Sequence, residues 1–137
     1  MDSNWISSKG KYVREFEKSI EDFVGNISAT SCSNGTVALH LALLGLDLKP
    51  GDEVISVAAG FPTTINPIVQ FGAVPVFVDV KIPTYNIDEN AIEEAITSKT
   101  KAIMIAHTLG NPFNLKAVKT ICEKKNLWLI EDSCDAL

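Results

Sequence analysis

The sequence predicts an α/β domain of three layers, α/β/α, built on a mostly parallel sheet. Three observations carry that expectation. Short apolar runs alternate with segments of helical periodicity along most of the 137 residues. The apolar runs are rich in Val, Ile and Phe, as strands covered on both faces are. The residues that follow them are chemically unusual: Asn34-Gly35-Thr36, Gly60-Phe61, His107 to Asn111, and Glu131-Asp132. In open parallel sheets ligands gather at the carboxyl ends of the strands, so four such stations argue for a binding cleft.

The elements follow in order. Over residues 9–23, Tyr12, Val13, Phe16, Ile20 and Phe23 recur at helical spacing, and Gly25-Asn26 stops the helix. Residues 27–33 read as a short strand that breaks at Asn34-Gly35-Thr36. The segment 37–46 is apolar on nearly every side and predicts a buried helix, ended by Gly45 and Lys49-Pro50-Gly51-Asp52. A strand over 53–57, a turn over 59–64 and a helix running to Gly72 come next. The strand expected over 74–80 is nearly continuous in Val and Phe, which predicts cover on both faces. Asp88 is placed as the N-cap of a helix over 89–96. Residues 101–107 form another buried strand. Residues 115–125 form an amphipathic helix with basic last turns, and 127–130 the final strand.

Bulk properties narrow the function. The length suits one domain with its own core. A composition 46% hydrophobic and 21% charged is that of an ordinary globular protein. The formal charge of −5 argues against nonspecific attraction to nucleic acid or to an anionic membrane face. No apolar run approaches the ~20 residues that span a bilayer. The start, Met1-Asp-Ser-Asn-Trp5, lacks the features of a secretory signal, so a cytoplasmic location is the default expectation. Cys32, Cys122 and Cys134 show no CxxC spacing and cannot all pair, so no disulfide framework is expected. Cys32 and Cys122 read as small buried hydrophobes or neutral passengers.

Each station has two readings. Ser33-Asn34-Gly35-Thr36, between a strand and a helix, is either an anion site at a helix N-terminus or an ordinary cap. Phe61, on a turn between Gly60 and Pro62, either lies flat on a planar heterocycle or plugs the turn. Asp132 follows Trp-Leu-Ile and needs a partner if buried. A protonated heterocyclic nitrogen suits it, and a cap for a following helix is the alternative. Glu131 is expected on the opposite side in a structural part. His107 is read as a packed, hydrogen-bonded residue and His40 as structural. The chain ends soon after Asp132, which predicts a site completed elsewhere.

Five stretches carry a resemblance: residues 5–17, SNGTVALHLAL at 33–43, KPGDEVI at 49–55, FGAVPVFVDV at 71–80 and LIEDSCDAL at 129–137. In this order they resemble the sugar-nucleotide aminotransferase and dehydratase family, which uses pyridoxal phosphate on the aspartate-aminotransferase fold. The resemblance implies that residues 1–137 are the N-terminal portion of a fold-type-I, cofactor-binding large domain, with the small C-terminal domain absent. It implies that Gly35 and Thr36 hold the cofactor phosphate, that Phe61 stacks on the pyridine ring and that Asp132 pairs with the pyridinium nitrogen. The parent is expected to be a homodimer.

Within the family, VAAGFPTTINPI at 57–68, KIPTYNID at 81–88 and AHTLGNPFNL at 106–115 resemble the CDP-4-keto-6-deoxyglucose 3-dehydratases of dideoxysugar and lipopolysaccharide O-antigen biosynthesis. WISSKGKYV at 5–13 and NGTVALHLAL at 34–43 look more like sugar aminotransferases, and 43–50 is shorter than in the dehydratases. The resemblance therefore implies removal of the C3 hydroxyl from a nucleotide-linked 4-keto-6-deoxyhexose by a pyridoxamine phosphate enzyme. Amino transfer to the same class of sugar is the alternative, and a non-catalytic remnant a further one. The position that separates the branches, a Schiff-base lysine or a histidine, has no counterpart in these residues, so no catalytic residue is assigned and the isolated chain is expected to show no turnover. Cys134, two residues after Asp132, matches a [2Fe–2S] ligand of the iron-sulfur-dependent dehydratases. Four thiolates are normally needed, and the remaining ones would lie beyond Leu137.

Overall fold

The computed structural model describes residues 10–136. Expectations placed on residues 1–9, including the start of the first helix, and on Leu137 lie outside the described residues. The described residues fall into two compact units, divided between Asn34 and Gly35.

In the first unit, α1 (Lys11–Phe23) carries i,i+4 pairs between Lys11 and Glu15 at 3.6 Å and between Lys18 and Asp22 at 2.7 Å. The chain leaves it through Gly25 and Asn26, with φ of 90° and 64°, a left-handed turn suited to Gly and Asn. The strand expected over 27–33 does not form. Carboxylates of α1 take its donors instead of a ladder. Ser31 donates to Glu17 Oε1 from its backbone N–H at 2.9 Å and from its hydroxyl at 3.0 Å, and the Ala29 N–H donates to Glu21 Oε1 at 3.1 Å. Glu17 and Glu21 sit one helical turn apart, so one face of α1 presents both acceptors.

The second unit runs α2 (Gly35–Leu44), β1 (Glu53–Ser56), α3 (Pro62–Gln70), β2 (Val74–Phe77), α4 (Ile92–Ala95), β3 (Thr100–Ala106), a 3-10 turn (Thr108–Gly110), α5 (Leu115–Lys125) and β4 (Trp128–Asp132). Its sheet has the order β2-β1-β3-β4 with every neighbouring pair parallel. Successive side chains of a strand point to opposite faces, and the core divides accordingly. Odd positions Ile55, Ile103 and Ile105 pack with Ile92 of α4 and with Val118 and Ile121 of α5. Even positions Val54, Ala102 and Met104 pack with Leu39 and Leu43 of α2 and Ile68 of α3. Helices therefore cover both faces, and the three-layer α/β/α expectation holds for this unit.

Several local expectations change. β2 is shorter than 74–80 and is an edge strand, with Val74 46% and Phe77 51% exposed. Its apolar run marked a parallel strand but not its place in the sheet. α2 is not buried all round. Only Leu39 and Leu43 are buried, while Val37, Leu41 and Leu44 are exposed, because a helix lying on one face of a sheet covers one stripe. Asp88 caps a turn rather than a long helix: its Oδ1 accepts from the Asn90 N–H at 3.1 Å, and α4 spans only Ile92–Ala95. β4 extends to Asp132, so both terminal acids belong to the strand.

Cys122 is buried, and burial pushes its thiol up to about 11, an inert packed residue as expected. Cys32 is exposed, which leaves the neutral-passenger reading for it. Among the described residues no helix is long and apolar enough to cross a membrane.

Candidate functional site

β4 ends in two carboxylates that the pleat sends to opposite faces. Glu131, on the α5 side, accepts a hydrogen bond at 3.1 Å from His107 Nε2. The His107 ring stacks on Phe113 with centroids 4.4 Å apart and planes 4° off parallel. His107 Nδ1 is buried and has no hydrogen-bond partner among the described residues. The structural readings of Glu131 and His107 fit this packing.

Asp132 lies on the α2/α3 side and is 8% exposed. Its two oxygens have separate donors: the Thr64 hydroxyl gives to Oδ2 at 2.8 Å, and the Cys134 N–H gives to Oδ1 at 3.1 Å. The His107 N–H gives to the Asp132 carbonyl at 3.1 Å and carries the ladder one step past β3. A carboxylate oxygen accepts more than one hydrogen bond, so each retains capacity toward a cationic donor. The Cys134 bond, from the N–H two residues on, is an Asx-turn, the local geometry that a cap also uses.

A cleft of about 670 Å3 opens beside Asp132, within the roughly 300–1,000 Å3 typical of small-molecule sites. Gly35, Thr36, Phe61 and Asp132 all line it, with Cys134. The four residues singled out in the sequence thus come together around one space. Gly35 and Thr36 open α2, and the dipole of a helix favours an anion at its N-terminus. A side chain at Gly35 would stand 3.3 Å from Cys134 Sγ, so the backbone approaches as close as only glycine allows with ease. Phe61 is the N-cap of α3, followed by Pro62 in the first turn. Its ring is 70% exposed, which removes the buried-plug reading and leaves a flat apolar surface at the cleft.

Three further residues escaped the sequence reading, Thr64 behind the cleft wall and Tyr85 and Leu109 in its lining. Thr64 meets Asp132 across 68 positions of chain, a pairing with no local signal. Tyr85 and Leu109 line the opening, each with a left-handed backbone at φ of 57° and 52°. Such conformations in bulky residues persist only where the surroundings impose them. Here buried Asn86 does so: its Oδ1 accepts from the Thr108 N–H at 3.2 Å and its Nδ2 donates to the Asn111 carbonyl at 3.1 Å. The Thr108 hydroxyl adds a bond to the Tyr85 carbonyl at 3.3 Å. A second, shallower hollow of about 730 Å3 between α4 and α5 is lined by exposed Glu93, Lys116 and Thr120 and lacks converging buried groups.

The cleft fits a flat, phosphorylated, protonated heterocycle: a helix N-terminus for the phosphate, an open aromatic ring for one face, and a buried carboxylate for a ring N–H⁺. Cys134 is exposed, and among the described residues no group of three or more His, Cys, Asp and Glu could hold a metal, so Cys134 is one ligand of a cluster at most.

Comparison with known proteins agrees with the geometry. The chain is 56% identical to the lipopolysaccharide biosynthesis protein RfbH of Salmonella typhimurium, over 97% of this chain and 32% of that protein. It is 48% identical to a dTDP-4-dehydro-2,6-dideoxy-D-glucose 3-dehydratase of Saccharopolyspora spinosa, over 93% and 29%. The structure matches NtdA of Bacillus subtilis, determined with bound cofactor PMP, with a TM-score of 0.89 and 37% identity over 94% of this chain and 30% of that one. The chain spans about a third of the length of the curated relatives it matches. The pattern of a single family extends over residues 1–137, the same stretch that contains the phosphate turn, the exposed ring and the buried aspartate: the chain belongs to the DegT/DnrJ/EryC1/StrS aminotransferase family.

Proposed function

We propose that these residues are the cofactor-holding part of a pyridoxal or pyridoxamine phosphate enzyme that removes the C3 hydroxyl from a nucleotide-linked 4-keto-6-deoxyhexose. The observation that carries this reading is the convergence of Gly35, Thr36, Phe61 and Asp132 on one cleft. The 3-dehydratase relative supports the choice of reaction, and the RfbH relative supports lipopolysaccharide synthesis as its setting. When bound, the cofactor supplies an electron sink next to the sugar's C4 and C3. The chain's part is to bind and orient. The first turn of α2 takes the phosphate through Gly35 and Thr36. Phe61 covers one ring face and excludes water from it. Asp132 keeps a proton on the ring nitrogen, since a close opposite charge favours both ionised forms.

Proton transfer at the substrate is assigned to no residue of this chain, and 1–137 is read as the N-terminal portion of the large domain of a homodimeric, cytoplasmic parent. Cys134 is retained as a [2Fe–2S] ligand of that parent, completed by thiolates from outside this sequence.

Amino transfer to the same sugar class is the second reading. The family's aminotransferase membership and the likeness of residues 34–43 to sugar aminotransferases favour it. In the full-length protein, dehydration without consumption of an amino donor supports the first reading, and an amino-sugar product the second. For the chain itself the test is titration with pyridoxal phosphate. A saturable spectral change that Asp132→Ala abolishes is the expected result. No change at millimolar cofactor would sink the reading of the cleft.

A further inference from the structure

Thr64 holds a place that the reading above does not use. It is 4% exposed, sits in the first turn of α3 two residues after Pro62, and gives its hydroxyl proton to Asp132 Oδ2 at 2.8 Å. Among the described residues it is the side-chain donor to that carboxylate, the other contact being the Cys134 backbone N–H on Oδ1. The two donors grip different oxygens, so together they fix the rotation of the carboxylate about its last bond, a torsion that is otherwise broad. Thr64 is itself stiff, because a β-branched side chain in a helix has few χ1 states.

We propose that Thr64 is a positioning residue for the cofactor's ring nitrogen. It holds the Asp132 carboxylate in one plane, so that its free lone pairs stay turned into the cleft. The inference rests on the reading of Asp132 as the partner of that nitrogen. It adds a link between two walls of the site: α3 presents the Phe61 ring at its N-cap and, three residues on, orients the carboxylate. A carboxylate without this hydroxyl must be ordered by the incoming ring, and part of the interaction is lost to that ordering.

The test compares wild type, Thr64→Val and Thr64→Ser in the 137-residue chain. Pyridoxamine phosphate labelled with 15N in the ring is the probe. The readouts are its dissociation constant and the 15N shift that reports protonation of the ring nitrogen. Thr64→Val keeps the shape and removes the donor; it is expected to weaken binding about tenfold and to move the nitrogen signal toward the unprotonated form. Thr64→Ser restores the donor and should restore both. Circular dichroism checks the fold, and Thr64→Ala replaces the valine variant if valine is not accommodated. A merely structural role would lower affinity without moving the nitrogen signal, and that outcome overturns the proposal, as does wild-type behaviour of Thr64→Val. In either case the cleft reading stands, because wild type binds. Failure of wild type to bind pyridoxamine phosphate overturns the cleft reading, and the proposal falls with it.

Discussion

Gly35 and Cys134 lie 99 residues apart in sequence yet meet at the cleft, where a methyl group on the glycine would stand 3.3 Å from the thiol sulfur. That distance is tight but sits against a side chain, so the fold should tolerate Gly35→Ala better than the site does. The variant is expected to lose less than about 1 kcal/mol of stability and to bind pyridoxal phosphate several-fold more weakly. Adding Cys134→Ala, which removes the neighbour, should recover part of the affinity; titration of the two variants checks it. Gly35, Thr36, Phe61 and Asp132 were legible as candidates because each stands where one element gives way to the next, at the start of α2, before α3 and at the end of β4, places where a residue's type betrays its use. Thr64 was not, since a threonine in the first turn of a helix looks the same whether or not a distant carboxylate sits above it. Tyr85 and Leu109 were hidden for a different reason. Their left-handed backbones are imposed by Asn86 across a loop, and no feature of either residue type announces it.

Helix α5 shows how well an element can be read when local chemistry decides it. Its bounds, Leu115–Lys125, are those expected. Asn114 accepts from the Ala117 N–H at 3.2 Å, and Asn126 ends the helix with a left-handed φ of 54°. The extended segment after α1 is the opposite case. Its alternating small residues fit a strand, but Glu17 and Glu21 claimed its donors, and side-chain competition for backbone leaves no trace in periodicity.

The connection from β2 to α4 depends on a charge pair instead. The Lys81 ammonium bonds the Glu89 carboxylate, and chiefly through that bond holds it below the usual carboxylate range. A carboxylate whose value is lowered by folding contributes stability that is fully present above its unfolded value of about 4.3 and is lost as pH falls through the folded value. Lys81→Met should therefore cost up to about 1 kcal/mol at neutral pH, discounted for the half-exposed lysine. The gap from wild type should close at acid pH, as urea midpoints at pH near 7 and near 3 would show.

At the scale of the molecule, the parallel sheet was the most legible feature, because strands buried on both faces have to be apolar throughout. Strand order was not legible: β2 carries no polar residue and β3 carries Thr100 and Lys101, yet β2 lies at an edge and β3 inside. β3 supplies the middle of both core clusters, through Ile103 and Ile105 on one face and Ala102 and Met104 on the other. Ile103→Ala, at a fully buried position, is expected to cost about 2–5 kcal/mol. That is a large part of the roughly 5–15 kcal/mol available to a domain. Loss of a cooperative thermal transition, or a strong drop in its midpoint, is the expected observation. A change of less than a few tenths of a kcal/mol would contradict the central placing of β3.

The alternation of Glu131 and Asp132 across β4 has one more consequence. Strand pairing by a single residue out of step would turn every side chain of β4 over, presenting glutamate to the cleft and aspartate to His107. Leu129 packs on one core cluster and Ile130 on the other, so the same slip would also misplace two apolar neighbours. The greasy residues before the acids thus act as a proofreading key. A chain that docks its last strand in the wrong frame loses packing at the step where it would also acquire the wrong acid, and the chemistry of the cleft inherits the fidelity of folding.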